Sequence, residues 1–321
     1  MERTQSLLLV AHRRSLDVAL AALAIALVTF GGVGWSSAPS RLRSETGTLV
    51  VADLRGHALT VIDLSSGERR TIPLEGGPHE LLRLPDGRLA VSLEQAGRIA
   101  LVEWRNGIVE YLETRGLPHG LALEGAALLV TDRAAGAVRR FEIGSWGELE
   151  PSAVDGVPHQ VVARTGARFV ANASSDRLSL GNGRSVPQPA LTESIAASPD
   201  GTYVAVAGAL DGRLLLYDRT RDVSREVELG GRPVRVVFSP SGRAVAVALS
   251  AAGEVTLVDI DGGVRRIEVD APDGLAFSTD GRVLFVADIA GSAVTEVELP
   301  GGRVLARLDG GATAGALAFI E

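Results

Sequence analysis

Three short stretches decide the fold: GGPH at residues 76–79, GLPH at 116–119 and GVPH at 156–159. Each ends in a Pro-His pair, and successive histidines, namely His79, His119 and His159, lie 40 residues apart. After one shorter repeat the same register continues at the following residues: Glu193, Pro233, Asp273 and Thr313. The chain therefore carries seven equivalent positions, one in each of seven repeats.

Glycines recur with the same period between short runs of Val, Leu, Ile and Ala, which predicts strands joined by tight turns. The first hairpin of successive repeats carries Gly87, Gly125, Gly166, Gly201, Gly242 and Gly281. Two further turn series, each with seven members, follow in every repeat. Four short strands in a repeat of about 40 residues are typical of a β-propeller. We therefore predict an all-β, seven-bladed β-propeller over residues 45–321.

The last strand of the sequence stands alone. The first-hairpin series has six members for seven repeats, and residues 314–319 resemble the first strands at 236–238 and 275–277. We expect this C-terminal strand to complete the first blade, formed by residues 48–72. Pairing the two chain ends would close the ring and leave no free edge between its first and last blades.

Composition excludes several functions. The 321 residues include no Cys and no Lys, so disulfides, cysteine-ligated metals, thiol nucleophiles and Schiff-base lysines are excluded. Residues 45–321 hold 27 Arg against 37 acidic residues, a net charge of −10. Because an acidic surface repels phosphate backbones, we expect no nucleic-acid partner.

Residues 1–44 are predicted to be a targeting segment followed by a short linker. Residues 18–35 form an uncharged apolar run preceded by Arg13 and Arg14, which favours a cytoplasmic N-terminus and an exported body. A cleaved signal peptide and an uncleaved signal-anchor transmembrane helix are both open, although Pro39 next to Ala38 disfavours cleavage there. The propeller is then periplasmic or extracellular, either secreted or held to the membrane by this helix.

Two phrases carry a family resemblance: SPDGTYVAV at residues 198–206 and LFVADIAGSAV at 284–294. They resemble the YVTN/YncE-like seven-bladed propeller repeat, and the resemblance covers essentially all of residues 48–321. It implies the fold. It leaves the activity open, because the wider group includes binding proteins, lactonase-like enzymes and a streptogramin lyase.

The three Pro-His histidines are the candidate metal ligands, since equal register places His79, His119 and His159 on adjacent blades at one channel mouth. Neutral imidazoles with carboxylates can bind Zn, Cu, Ni or Mn ions, so a divalent transition metal is the cofactor considered. The alternative is that these histidines serve turn structure. Candidate ligand-binding residues at the same mouth are Glu193, Asp132, Asn172, Asp273, Asp288 and Asp53. The residues Arg83, Arg164 and Arg235 lie a few positions after His79, His159 and Pro233. They can bind an anion in the channel or be ion-paired.

Two function classes remain. The first is a binding or scaffold protein that presents this mouth to a protein partner or a small ligand. The second is a metal-dependent hydrolase, lyase or redox enzyme that uses the histidine cluster, with Glu193 or Asp132 as general base.

Overall fold

The computed structural model describes residues 46–321 and confirms the predicted architecture over them. In this part of the chain, 28 strands form seven four-stranded antiparallel sheets, which are the seven blades. The predicted signal or anchor segment lies outside the described residues. Within residues 46–321 no helix has the length and apolar character needed to cross a membrane.

Each blade is built of consecutive strands except the first. Blade 1 consists of β28 (Ala314–Ile320), β1 (Thr48–Asp53), β2 (Ala58–Asp63) and β3 (Arg69–Pro73), from the innermost strand outward. Blade 2 consists of β4 (Leu81–Arg83), β5 (Leu89–Leu93), β6 (Arg98–Glu103) and β7 (Ile108–Glu113), with a short 3-10 helix at Glu94–Ala96. Blade 3 consists of β8 (Pro118–Glu124), β9 (Ala127–Asp132), β10 (Ala137–Glu142) and β11 (Glu148–Ala153). Blade 4 consists of β12 (Pro158–Arg164), β13 (Ala167–Asn172), β14 (Arg177–Ser179) and β15 (Ser185–Pro187).

The remaining blades repeat this order. Blade 5 consists of β16 (Thr192–Ala197), β17 (Tyr203–Gly208), β18 (Arg213–Asp218) and β19 (Val223–Glu228). Blade 6 consists of β20 (Pro233–Phe238), β21 (Ala244–Leu249), β22 (Glu254–Asp259) and β23 (Val264–Glu268). Blade 7 consists of β24 (Pro272–Phe277), β25 (Val283–Asp288), β26 (Ala293–Glu298) and β27 (Arg303–Asp309).

The two ends of the described chain meet in blade 1, as predicted. Strand β28 pairs antiparallel with β1, so that Thr48 lies opposite Ile320 and Val50 opposite Ala318. The Asp53 side chain fixes this seam, because its carboxylate accepts hydrogen bonds from the backbone N–H groups of Ala312 (2.7 Å) and Thr313 (2.9 Å). The ring is therefore closed by backbone pairing and by one buried carboxylate.

The Ser-Pro-Asp-Gly phrase makes the first hairpin of blade 5. The hydroxyl of Ser198 donates to Asp200 and accepts from the backbone of Tyr203, while Asp200 accepts from the backbone of Thr202. Gly201 has a φ of +72°, which side chains other than glycine rarely adopt. The family-like phrase is thus accounted for by turn chemistry.

The hydrophobic core lies between the blades. Within residues 46–321, seven apolar clusters occupy the seven interfaces between neighbouring blades. The second strand of each blade is the main component of this core. All six residues of β9, for example, are buried. Because both faces of each sheet pack against a neighbour, these strands read as continuous apolar runs.

Arginines on three outermost strands tie neighbouring blades together. Arg70 on β3 donates to the carbonyls of Trp104 and Arg105, and Arg225 on β19 donates to that of Ile260. Arg265 on β23 does the same to Pro300. Each guanidinium reaches the turn between the third and fourth strands of the next blade. We call these three residues the interblade arginines.

Candidate functional site

The innermost strands all begin at one mouth of the central channel, and the second strands end there. The predicted second-strand residues, including Asp53, Asp132, Asn172 and Asp288, are the last residues of β1, β9, β13 and β25. Six of the seven innermost strands have a β-bulge or similar register shift at their start, for example between Pro158 and Gln160. Such a bulge re-aims side chains, so two successive residues of one strand can both reach the channel.

Strand pairing corrects two of the seven positions that the sequence predicts to be equivalent. Pro118 lies opposite Asp132 and Pro158 opposite Asn172, and in blade 6 it is Pro233 that lies opposite Leu249. Pro233 is therefore equivalent to the prolines, and Val234 occupies the histidine position of its blade. In blade 1, Gly315 rather than Thr313 occupies that position, since Leu317 pairs with Val51 as Leu121 pairs with Val130. The bulges lie at the same place in these blades, so differences in loop length break the strict 40-residue spacing.

The three histidines lie side by side at this mouth. The ring centroids of His79 and His119 are 4.2 Å apart, and those of His119 and His159 are 4.0 Å apart. Gly120 allows this approach, because a Cβ there would lie 2.7 Å from the Cα of Gln160. The backbones of β8 and β12 are consequently close enough for the rings of their histidines to be in contact, tilted by 46°.

Burial keeps two of these imidazoles neutral. Burial first, and then repulsion from His159 and His79, holds the pKa of His119 well below its usual range. For His159, burial and the charge of Arg133 lower the pKa to about 3. Neutral rings can act as metal ligands, and these two are neutral at pH 7.

Several ring nitrogens are buried without a protein partner. Among residues 46–321, hydrogen-bond partners are lacking for Nδ1 of His79, both ring nitrogens of His119 and Nδ1 of His159. His119 is only 1% exposed. Buried polar atoms are normally satisfied, so these nitrogen atoms are available to a water molecule, an ion or another ligand.

A partly buried carboxylate next to the histidines was missed by sequence reasoning. Glu80 Oε1 lies 3.9 Å from His79 Nδ1 and accepts hydrogen bonds from Gln160 Nε2 (2.7 Å) and Arg235 Nη1 (2.6 Å). Burial opposes its ionisation, but the charge of Arg235 and the contact with His79 lower the pKa of Glu80 to about 2. Arg235 Nη2 also lies 3.7 Å from Asp273 Oδ1. These side chains from blades 2, 4, 6 and 7 meet on the axis.

One sequence signal could have found this group. Glu80 and Gln160 each follow a Pro-His histidine directly, and Arg235 holds the same position once Pro233 is aligned with the prolines. A second ring of channel residues therefore lies one residue after the histidine position in each of these blades. Glu94 is a further missed carboxylate: its Oε2 lies 4.0 Å from His79 Nε2, and its Oε1 pairs with Arg133 at 2.6 Å.

The other predicted ligand residues make contacts within the protein. Three carboxylates accept backbone N–H bonds in loops at the mouth: Asp53 from Gly56, Ala312 and Thr313; Asp132 from Leu117, Ala134 and Ala135; Asp288 from Ala290 and Gly291. Asn172 Nδ2 donates to the Arg177 carbonyl at 3.1 Å. Glu193 pairs with Arg232 at 2.6 Å. Turn and loop geometry explains these residues, and their role in ligand binding stays a prediction.

The channel continues as a cavity of about 380 Å³ along the innermost strands. Glu80, Gln160 and Arg235 line its end near the histidines, and Arg164, Pro199 and Phe238 line the other. Of the three arginines considered from the sequence, Arg235 is ion-paired on the axis, Arg164 lines the cavity, and Arg83 is exposed at the end of β4. The polar group on the axis thus separates the histidine mouth from this cavity.

Among residues 46–321, three side chains meet the distance expected of a metal centre. His79, Glu80 and His119 each offer a ligand atom, and these atoms all lie within 4.8 Å of one another. His159 packs on His119 but does not complete such a group with the other two histidines.

Comparison with known proteins supports the fold and leaves the function open. No family model matches the chain, and no curated protein matches it. Solved propellers do. A functionally unknown protein from Desulfotomaculum acetoxidans DSM 771 superimposes with a TM-score of 0.73 and 11% identity, covering 86% of this chain and 99% of that one. A putative 6-phosphogluconolactonase from Bacteroides fragilis NCTC 9343 superimposes with a TM-score of 0.69 and 14% identity, covering 88% of this chain and 100% of that one. A streptogramin B lyase superimposes with a TM-score of 0.68 and 13% identity, covering 78% of this chain and 92% of that one.

Proposed function

We propose that this protein is an extracytoplasmic propeller of the YVTN/YncE-like type that binds a divalent transition metal at the histidine mouth. The main support is the row of His79, His119 and His159, in which four buried ring nitrogens lack protein partners beside an ionised carboxylate. Imidazole and carboxylate together suit Zn, Cu, Ni or Mn ions. The bound ion, or a small ligand or protein partner held through it, is what the mouth presents.

Binding is favoured over catalysis by the state of the two proposed bases. Glu193 is held by Arg232, and Asp132 accepts three backbone hydrogen bonds. A general base must be free to take a proton from substrate or water. Metal-dependent hydrolysis, lysis or redox chemistry at this mouth therefore remains the second candidate, and turnover by metal-loaded protein would favour it.

The location rests on the sequence. The uncharged run at 18–35 behind Arg13 and Arg14 supports an exported propeller that is anchored to the membrane or released after cleavage. A reporter enzyme that works only outside the cytoplasm, fused after Glu321, is expected to be active. A fusion that is active only in the cytoplasm would overturn this part of the proposal.

Metal binding is tested with purified, tag-free full-length protein in mild detergent. Zn, Cu, Ni and Mn salts are added one at a time to protein treated with chelator, and the melting temperature is recorded. A ligand that binds the folded state alone stabilises by about 2.7 kcal/mol at 100 times its Kd, so at least one ion is expected to raise the melting temperature. His119→Asn is expected to abolish that rise. If no ion raises the melting temperature of the wild type, the metal proposal is wrong and the cluster is structural.

A further inference from the structure

We propose that the third protein ligand of this metal is Glu80 and not His159, so that the ion is held by His79, His119 and one carboxylate. This inference rests on the proposed metal binding and specifies its donor set. It moves the ion from the rim toward the channel axis, where the innermost strands of blades 2 and 3 begin.

The geometry favours this set over three histidines. The ligand atoms of His79, Glu80 and His119 already lie within 4.8 Å of one another. Atoms bound at about 2.0–2.1 Å to one tetrahedral ion are about 3.3 Å apart, so small side-chain rotations suffice. The three histidines form a row instead, with His119 in the middle, and the ligand atoms of all three do not lie within 4.8 Å of one another.

Charge points the same way. Two neutral imidazoles and one carboxylate leave a single net positive charge on a bound divalent ion, whereas three imidazoles leave two. The mouth already contains the guanidinium groups of Arg133 and Arg235, both near the histidines. An anionic ligand is therefore better suited to this site than a third neutral ring.

The hydrogen bonds to Glu80 are arranged to support metal binding. Gln160 and Arg235 both donate to Oε1, and neither of these bonds uses Oε2. The carboxylate can thus bind an ion through Oε2 while Oε1 stays anchored, as outer partners commonly anchor metal-binding carboxylates. Gln160 and Arg235 are then positioning residues, and His159 supports the ring of His119 through a tilted ring contact.

The experiment compares matched variants by calorimetric titration with ZnCl₂. Glu80→Gln keeps the shape of the side chain and removes its charge, and we expect at least about 100-fold weaker binding, more than the loss of an outer partner. His159→Asn is expected to change the affinity less than about threefold, while His119→Asn is expected to abolish binding. Asp270→Asn is the control for charge, because it neutralises an acid that lies just before β24 and pairs with Arg307 at 2.9 Å, away from the histidines, and the wild-type affinity should be kept.

A second measurement needs no variant. Electron paramagnetic resonance of the wild-type protein loaded with one equivalent of Cu²⁺ counts the nitrogen ligands, and two are expected. Three nitrogens, or loss of zinc affinity in His159→Asn with none in Glu80→Gln, would show a three-histidine site and overturn this inference while leaving the proposed function intact. If the wild type binds none of the Zn, Cu, Ni and Mn ions, the proposed function fails and this inference fails with it.

Discussion

At the scale of single residues, the notable feature is a set of titratable groups whose protonation is set by burial. His119 and His159 are kept neutral in the folded protein, and Glu80 is kept ionised by Arg235. An unfolded histidine takes up a proton near pH 6.5. The unfolded chain therefore binds more protons than the folded chain at mildly acidic pH, and acid favours unfolding.

We predict that stability is full above about pH 6.5 and falls as the pH is lowered toward 3, the folded pKa of His159. One proton bound only by the unfolded state contributes a slope of at most about 1.4 kcal/mol per pH unit. His159→Asn should flatten the curve by up to this amount between pH 6 and 5. Urea unfolding in the presence of EDTA measures it, and parallel curves for wild type and variant would contradict the prediction.

At the scale of elements, the seam between β28 and β1 is the one place where a blade is assembled from both ends of the described chain. Asp53 holds it through Ala312 and Thr313, and Asp288 holds the same position in blade 7 with hydrogen bonds to its own loop only. Replacing each of the two carboxylates in turn therefore distinguishes the stability gained from holding one loop from the stability gained from closing the ring.

Asp53→Ala is expected to lower the free energy of unfolding by about 2–4 kcal/mol, since it leaves the buried N–H of Thr313 and the part-buried N–H of Ala312 unpaired at the seam. Asp288→Ala is expected to cost about 1–2 kcal/mol. Hydrogen exchange gives the sharper readout: the amides of Thr48–Asp53 should exchange faster in Asp53→Ala and not in Asp288→Ala. Equal effects of the two changes on these amides would show that Asp53 has no special role in closure.

Sequence reasoning reached the fold because strand and turn signals are local and recur seven times. It also placed the three histidines together, since equal positions on adjacent blades are neighbours. It missed the partnership of Glu80 with Arg235, because that contact spans 155 residues and depends on bulges and channel width. It also misplaced Pro233, because the chain between the equivalent positions of blades 5 and 6 is one residue longer than the 40-residue period.

At the scale of the whole molecule, the blades are joined by apolar clusters inside and by the interblade arginines outside. Arg70, Arg225 and Arg265 each donate to carbonyls of the next blade. A guanidinium has five donors in a planar fork, which a lysine cannot reproduce. The exclusive use of Arg by this chain is consistent with that geometry at these three places.

We predict that the triple variant R70K/R225K/R265K loses about 2 kcal/mol of stability in total, because each site loses part of a charged hydrogen bond. The melting temperature should fall by about 4 °C or more. The matched control is R243K/R282K/R303K, whose exposed arginines pair with acids of their own blades. Calorimetry should show the control within about 1 °C of the wild type, and an equal loss in both triple variants would contradict an interblade role.

The closure of blade 1 has a consequence for the order of the chain. Thr48 and Ile320 lie opposite each other on adjacent strands, which places the two ends of the propeller about 5 Å apart. A linker of a few residues could join them, and the resulting loop could be cut at any surface turn between blades. The propeller is thus suited to circular permutation: the order in which its blades are synthesised can change while every blade keeps its neighbours.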